Sequence, residues 1–183
     1  VICTGELKQQ FGDLATRARR DDYYARIYAK TASLMTLAAE AAGVLAHAPQ
    51  DQIKALHDYG YNLGMAFQIV DDVLDFVGDE RRLGKPVGSD LRQGLVTLPT
   101  LCYLEQHPGD ELMTRILGNR HGNDDGDIRQ AVSIIRDSGA IDGALDEARN
   151  FARRSLAELD RLPAGPPRQA LQNLTEFVVQ RRT

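Results

Sequence analysis

The stretch GMAFQIVDDVLDFVGDE, residues 64–80, places three aspartates inside an otherwise apolar helical run. A carboxylate taken out of water is costly unless something pairs with it. The partner of Asp71, Asp72 and Asp75 therefore decides what this chain does. An α-helix turns about 100° per residue. With Gln68 set at zero, ideal geometry puts Asp71 at roughly −60°, Asp75 at roughly −20° and Asp72 at roughly +40°. Gly64 and Tyr61 share this face one and two turns earlier. The opposite side collects Leu63, Ala66, Val70, Val73, Leu74 and Val77. On most helices such a stripe is a solvated face. Here Phe67, Ile69 and Phe76 flank it, which is odd for a face looking at bulk water. No lysine or arginine stands three or four residues away in the helix to neutralise it. A divalent cation would supply the missing partner. Oxygen ligands with no histidine or cysteine nearby favour magnesium over zinc. Magnesium takes one or two carboxylates and completes its shell with water and substrate phosphates. The stripe thus predicts a diphosphate brought in on magnesium.

A diphosphate site also needs fixed cations, and two lysines fit. Lys30 stands alone among small and apolar residues in YAKTASL, where it reads equally well as a surface lysine on an amphipathic helix. Lys85 stands in GKPVGSD, with Gly84 and Gly88 permitting close backbone approach and Pro86 holding Lys85 extended. The order GxxxxGK[ST] is absent, so this is not a nucleotide-binding P-loop.

The rest of the chain sets the frame. Alanine, leucine, glutamate, glutamine and arginine dominate, and strand-like alternation is scarce. The pattern predicts helices over Gly5–Arg20, Asp21–Val44 and Asp51–Val77, then over 97–106, 109–118, 126–138, 140–161 and 166–181. Loops are expected at GDERRLGKPVGSDLRQG (78–94), at HGNDDGD (121–127) and at LPAGPP (162–167). With 183 residues, 43% of them hydrophobic, the chain is expected to form a single helical domain, 1–183. A net charge of −4 argues against a nucleic-acid partner. No apolar run approaches the roughly 18–20 residues of a membrane span. The two cysteines, Cys3 and Cys102, lack metal-type spacing, and a reducing cytoplasm is the simplest expectation. The opening VICTGELKQQF reads as the interior of something longer: a fragment, a cleaved product or one half of a split enzyme. Tyr23, Tyr24 and Tyr28 read as core or interface.

Three blocks together resemble the trans-isoprenyl diphosphate synthases, or polyprenyl synthetase family: KTASL at 30–34, GMAFQIVDDVLD at 64–75 and LGKPVGSDLRQGLVTLP at 83–99. The middle block is similar to the family's second aspartate-rich motif, and the resemblance covers the C-terminal part of a member. It implies an all-α bundle of the isoprenoid synthase type around a central cavity, here without its N-terminal helices. It implies prenyl transfer: an allylic diphosphate ionises and isopentenyl diphosphate attacks the cation. By motif match, Asp71, Asp72 and Asp75 would hold Mg²⁺, Asp71 most directly. Lys30 and Lys85 would clamp the allylic diphosphate. Thr31 and Gln68 would lie beside the reacting carbon, where oxygen dipoles stabilise positive charge that develops there. Two departures stand out. The family's first aspartate-rich motif and its basic isopentenyl diphosphate site have no counterpart here. Gly94-Leu95-Val96-Thr97 also lacks the lysine many members carry after that glycine. The chain alone is therefore expected to turn over negligibly. It is expected to act as a homodimer, with 5–44 as a candidate dimer surface, or in a complex with a chain that supplies the first motif. A non-catalytic subunit of a heteromer is the alternative. A terpene cyclase is disfavoured, since no mixed asparagine, serine or threonine and glutamate motif is found. The basic end QRRT (180–183) could approach the active-site mouth, or simply oppose a helix dipole.

Overall fold

The structure, a computed structural model, describes residues 19–78, 86–118 and 123–181. The expected helix Gly5–Arg20, Cys3 and Lys85 lie outside these residues, Arg19 and Arg20 excepted. Among the described residues there is no strand. Helix α1 (Arg20–Ile27) runs through a π-helical turn (Tyr28–Ala32) into α2 (Ser33–Leu45). Then follow α3 (Gln50–Val77), the short α4 (Ser89–Arg92), α5 (Leu98–Gln106), α6 (Glu111–Gly118), α7 (Asp125–Asp137), α8 (Ala140–Leu159) and α9 (Pro166–Gln180). Buried apolar side chains join into one cluster. No described helix is long and apolar enough to cross a membrane.

The central element is α3, 28 residues long, or about 42 Å at 1.5 Å per residue. Pro49 starts it, since proline lacks the N–H that a helix leaves unpaired there. The sequence pattern predicts one acidic side and one apolar side. The structure instead buries nearly every residue from Tyr59 to Phe76, Gln68, Asp72 and Asp75 included. The reason is that α3 is packed on several sides, by α1, the π turn and α2, by α5, by α8 and by α9. Met65, Ile69 and Phe76 are fully buried, each contributing roughly 1.5–3 kcal/mol from burial.

The polar stripe meets the π turn because of one glycine. A Cβ on Gly64 would sit 2.5 Å from Ala32 Cα, and one on Gly60 would sit 2.6 Å from the Met35 carbonyl oxygen. Only residues without side chains let the two backbones approach this closely. On the far side, Ser155 of α8 donates to the Tyr59 carbonyl at 3.1 Å. The Tyr59 hydroxyl donates to the Leu171 carbonyl of α9 at 3.0 Å. These bonds seat α8 and α9 against α3.

Two expected loops are partly helical. Helix α4 forms inside 78–94 because the Asp75 carboxylate accepts from the Ser89 hydroxyl and from the Asp90 N–H, serving donors that a helix start leaves open. Helix α7 begins at Asp125, inside 121–127, because Asp124 caps it, accepting from the Gly126 N–H at 2.6 Å.

We expect Gly64→Val to lower the stability of the chain by about 1–3 kcal/mol or more in urea unfolding followed by circular dichroism, since backbone atoms must move. Gly118→Ala, where an added Cβ meets nothing within 4 Å, should leave the unfolding midpoint unchanged or slightly raised.

Candidate functional site

The three aspartates leave α3 in similar directions but meet three different surroundings. Asp71 is half-exposed, its side chain 47% accessible, and the Arg181 guanidinium at the end of α9 stands 3.8 Å from Oδ1. That guanidinium also lies over the Phe67 ring, 5.5 Å from its centroid. Asp72 is buried, and both of its oxygens accept hydrogen bonds. Gln68 Nε2 donates to Oδ1 at 2.8 Å, and the Tyr23 hydroxyl donates to Oδ2 at 2.8 Å. Asp75 is buried as well. Ser89 Oγ donates to its Oδ1 at 2.5 Å and the Asp90 N–H to its Oδ2 at 3.0 Å.

The stripe has protein partners from outside its own helix. Neutralisation within the helix is absent, as the sequence shows, but donors arrive from α1, from α4 and from the end of α9. Among the described residues, no three histidine, cysteine, aspartate or glutamate side chains converge to hold a metal ion. Asp71 is the member of the stripe with substantial access to water.

Burial pushes the Asp72 carboxyl up, to about 7, and the negative charge of Asp90 adds to the shift. The bonds from Gln68 and Tyr23 and the charge of Arg26 oppose it. Burial likewise raises the Tyr23 hydroxyl well above its ordinary range and lowers the Arg26 guanidinium.

Thr31 and Gln68 are brought together. Thr31 Oγ1 donates to Gln68 Oε1 at 2.6 Å. The π turn, whose wider winding is rare and recurs at functional sites, places Thr31 against α3. Lys30 is its neighbour on the same turn and is exposed. Lys85 is outside the described residues, but the chain just after it is tied to the stripe. The Gly88 N–H donates to the Asp75 carbonyl at 2.8 Å. Gly88 has φ +73°, a conformation natural to glycine, and a Cβ there would also meet Val132 Cγ2 at 2.7 Å.

A cavity of about 900 Å³ lies on the apolar side of α3. Val70, Val73, Leu74 and Val77 line it, with Leu145 and Arg149 of α8 and Val179 and Arg181 opposite. The acidic stripe itself faces α1, the π turn and residues 88–90, with Arg181 standing between stripe and cavity.

Sequence reasoning missed Tyr23 and Ser89. Tyr23 carried a signal: it shares a buried α1 face with Ile27, at i and i+4, and a buried tyrosine hydroxyl usually finds a partner. Ser89 follows Gly88 where a capping residue would stand, but its partner is 14 residues away and no local rule names it.

A family model described as Polyprenyl synthetase matches residues 1–135. The chain is 38% identical to a prenyl transferase of Synechocystis over 177 residues, 97% of this chain and 54% of that protein. Among solved structures it superimposes on a heptaprenyl diphosphate synthase from Staphylococcus aureus with TM-score 0.92 at 34% identity, covering all of this chain and 57% of the other. It also superimposes on a polyprenyl synthase from Caulobacter crescentus, complexed with calcium and isoprenyl diphosphate, with TM-score 0.88 at 38% identity, covering 100% and 56%. The chain spans about half the length of the relatives it matches, and its all-α fold is theirs.

The titration of Asp72 is testable in the metal-free chain with chelator present. Between its ordinary value of about 3.9 and about 7, the folded chain keeps a proton that the unfolded chain has released. Stability from this group therefore falls as pH rises through that window, by at most about 1.4 kcal/mol per pH unit, and levels off above it. Asp72→Asn should gain stability relative to the parent from pH 4 to pH 7, read as urea midpoints.

Proposed function

The chain belongs to the polyprenyl synthetase family, and on that premise we propose that it forms the diphosphate-ionising half of a magnesium-dependent trans-prenyltransferase. Its substrates in this reading are an allylic diphosphate and isopentenyl diphosphate, joined into a longer polyprenyl diphosphate. The observation that carries the proposal is the side-by-side placement of a wet carboxylate, Asp71, and a hydrogen-bonded pair of oxygens, Thr31 and Gln68. The Caulobacter relative, solved with calcium and isoprenyl diphosphate, supports the same ligand class.

The residues fit the ion. The donors are all oxygen, as magnesium requires, and one or two carboxylates suffice when water and phosphate complete the shell. Asp71 would hold it most directly. The motif extends that duty to Asp72 and Asp75, whose bonds to Tyr23, Gln68, Ser89 and Asp90 commit their oxygens elsewhere. When bound, the ion neutralises the leaving diphosphate as a Lewis acid. Lys30, exposed beside Thr31, supplies a fixed cation for the same diphosphate, and Lys85 is its proposed counterpart. Arg181, already drawn to Asp71, adds a third positive charge at this rim. The oxygens of Thr31 and Gln68 point negative dipole ends at an allylic cation, stabilisation that counts only as charge develops.

The first aspartate-rich motif is absent from these 183 residues. Turnover therefore requires a polypeptide carrying it, in a homodimer of longer chains or in a complex. The exposed Leu34, Leu37, Val44 and Leu45 of α2 offer an apolar surface for such association. A cytoplasmic location belongs to this reading. The names of the relatives are those of prenyl transferases and polyprenyl synthases, which does not favour the non-catalytic alternative.

Two measurements test the proposal. Mn²⁺ titration followed by electron paramagnetic resonance, with inorganic diphosphate present, should show binding that Asp71→Asn weakens at least tenfold. Unchanged affinity would overturn the metal assignment. Incubated alone with an allylic diphosphate and labelled isopentenyl diphosphate, the chain should give negligible product. Turnover at a rate of about 1 s⁻¹ or above, ordinary for an enzyme, would refute the need for a partner segment.

A further inference from the structure

We infer that Tyr23 and Asp72 are positioning residues, which together set the orientation of the Gln68 side-chain amide. The inference rests on the reading of Gln68 as a residue beside the reacting carbon and deepens it. It separates the two adjacent aspartates of the motif, Asp71 for the ion and Asp72 for Gln68.

A glutamine amide has a donating and an accepting end, and rotation by half a turn exchanges them. What Gln68 offers to a cation depends on which end faces Thr31. Both Asp72 oxygens accept in this structure, Oδ2 from the Tyr23 hydroxyl and Oδ1 from the Nε2 end of Gln68 at 2.8 Å. The Oε1 end is then left for Thr31, at 2.6 Å. Asp72 enforces this only if its own plane is held, and Tyr23 holds it. The Tyr23 hydroxyl, 2.8 Å from Oδ2, belongs to a fully buried side chain. Its ring has the Tyr24 ring 5.5 Å away and the Arg26 guanidinium over it at 5.5 Å. Arg26 in turn donates to the Val96 carbonyl. The order Tyr23, Asp72, Gln68, Thr31 is thus a continuous run of hydrogen bonds that starts on α1, crosses α3 and ends on the π turn.

Access points the same way. Asp72 is 6% exposed, while the Asp71 side chain is 47% exposed. A magnesium ion that keeps several waters needs the second setting.

The experiment uses the whole chain with ¹⁵N-labelled glutamine, and reads the Gln68 side-chain amide by NMR beside Mn²⁺ affinity by electron paramagnetic resonance. Tyr23→Phe removes one hydroxyl and little volume. It should shrink the separation of the two Gln68 amide proton shifts by at least half and leave Mn²⁺ affinity within twofold of the parent. Asp72→Asn, which can present a donor or an acceptor to Gln68, should double or collapse the same resonances, again with Mn²⁺ affinity within threefold. It also serves as the second variant should Tyr23→Phe fold poorly. An unchanged Gln68 signature in both variants, with the fold intact by circular dichroism, would overturn the inference. So would a tenfold loss of Mn²⁺ affinity in Asp72→Asn, which would make Asp72 a metal ligand. Failure of Asp71→Asn to weaken Mn²⁺ binding would sink the proposed function instead, and would leave the Gln68 result standing.

Discussion

The site depends on the contact of two backbones, Gly64 of α3 against Ala32 of the π turn. A Cβ at Gly64 would fall 2.5 Å from Ala32 Cα and 2.8 Å from its methyl, so the two helices would have to move apart. With the backbones touching, Thr31 reaches Gln68 from the π turn, and Tyr23 reaches Asp72 from the helix before it. A π turn has poorer intrinsic geometry than an α-helix and persists where packing requires it. Here the packing is that of Ala32, fully buried against α3.

The same contact explains why three aspartates on one arc are tolerated. In water, like charges one helical turn apart repel by a few tenths of a kcal/mol. Burial is a much larger effect, several kcal/mol for an ion. Each hydrogen bond to a charged group returns roughly 1.5–3 kcal/mol. For Asp72, two bonds from neutral donors fall short of full compensation, and the carboxyl moves up to about 7. Asp75 is engaged by a hydroxyl and a backbone N–H at the start of α4, so its burial also organises the chain that follows Lys85. Asp71 stays half-exposed, with the Arg181 guanidinium 3.8 Å away. One motif has become three environments.

Much of the architecture was legible in order and length. The run Asp51–Val77 becomes α3, Gln50–Val77, because Pro49 and Gly78 bracket a segment rich in helix formers. Asp21–Val44 becomes α1, the π turn and α2. The π turn itself was not legible, since YAKTA contains nothing that favours it over an ordinary helix. Helix α4 was hidden among glycines because what nucleates it is the Asp75 carboxylate of another helix. The grouping of Thr31 with Gln68 followed from family motifs. The roles of Tyr23 and Ser89 did not, because no periodicity within one helix reveals what a neighbouring helix offers.

By itself, the sequence determined that one helix would carry an amide and three carboxylates on a narrow face, since their spacing matches the helical repeat. It also determined that Gly64 would lie on that face. Tertiary structure alone decided which carboxylate is wet and which are dry. Beyond Gln68 on the same helix, Asp72 is claimed by the Tyr23 hydroxyl from 49 residues away, and Asp75 by the Ser89 hydroxyl from 14 residues away. Desolvation is a property of everything packed around a group, and the local sequence of one helix does not contain it.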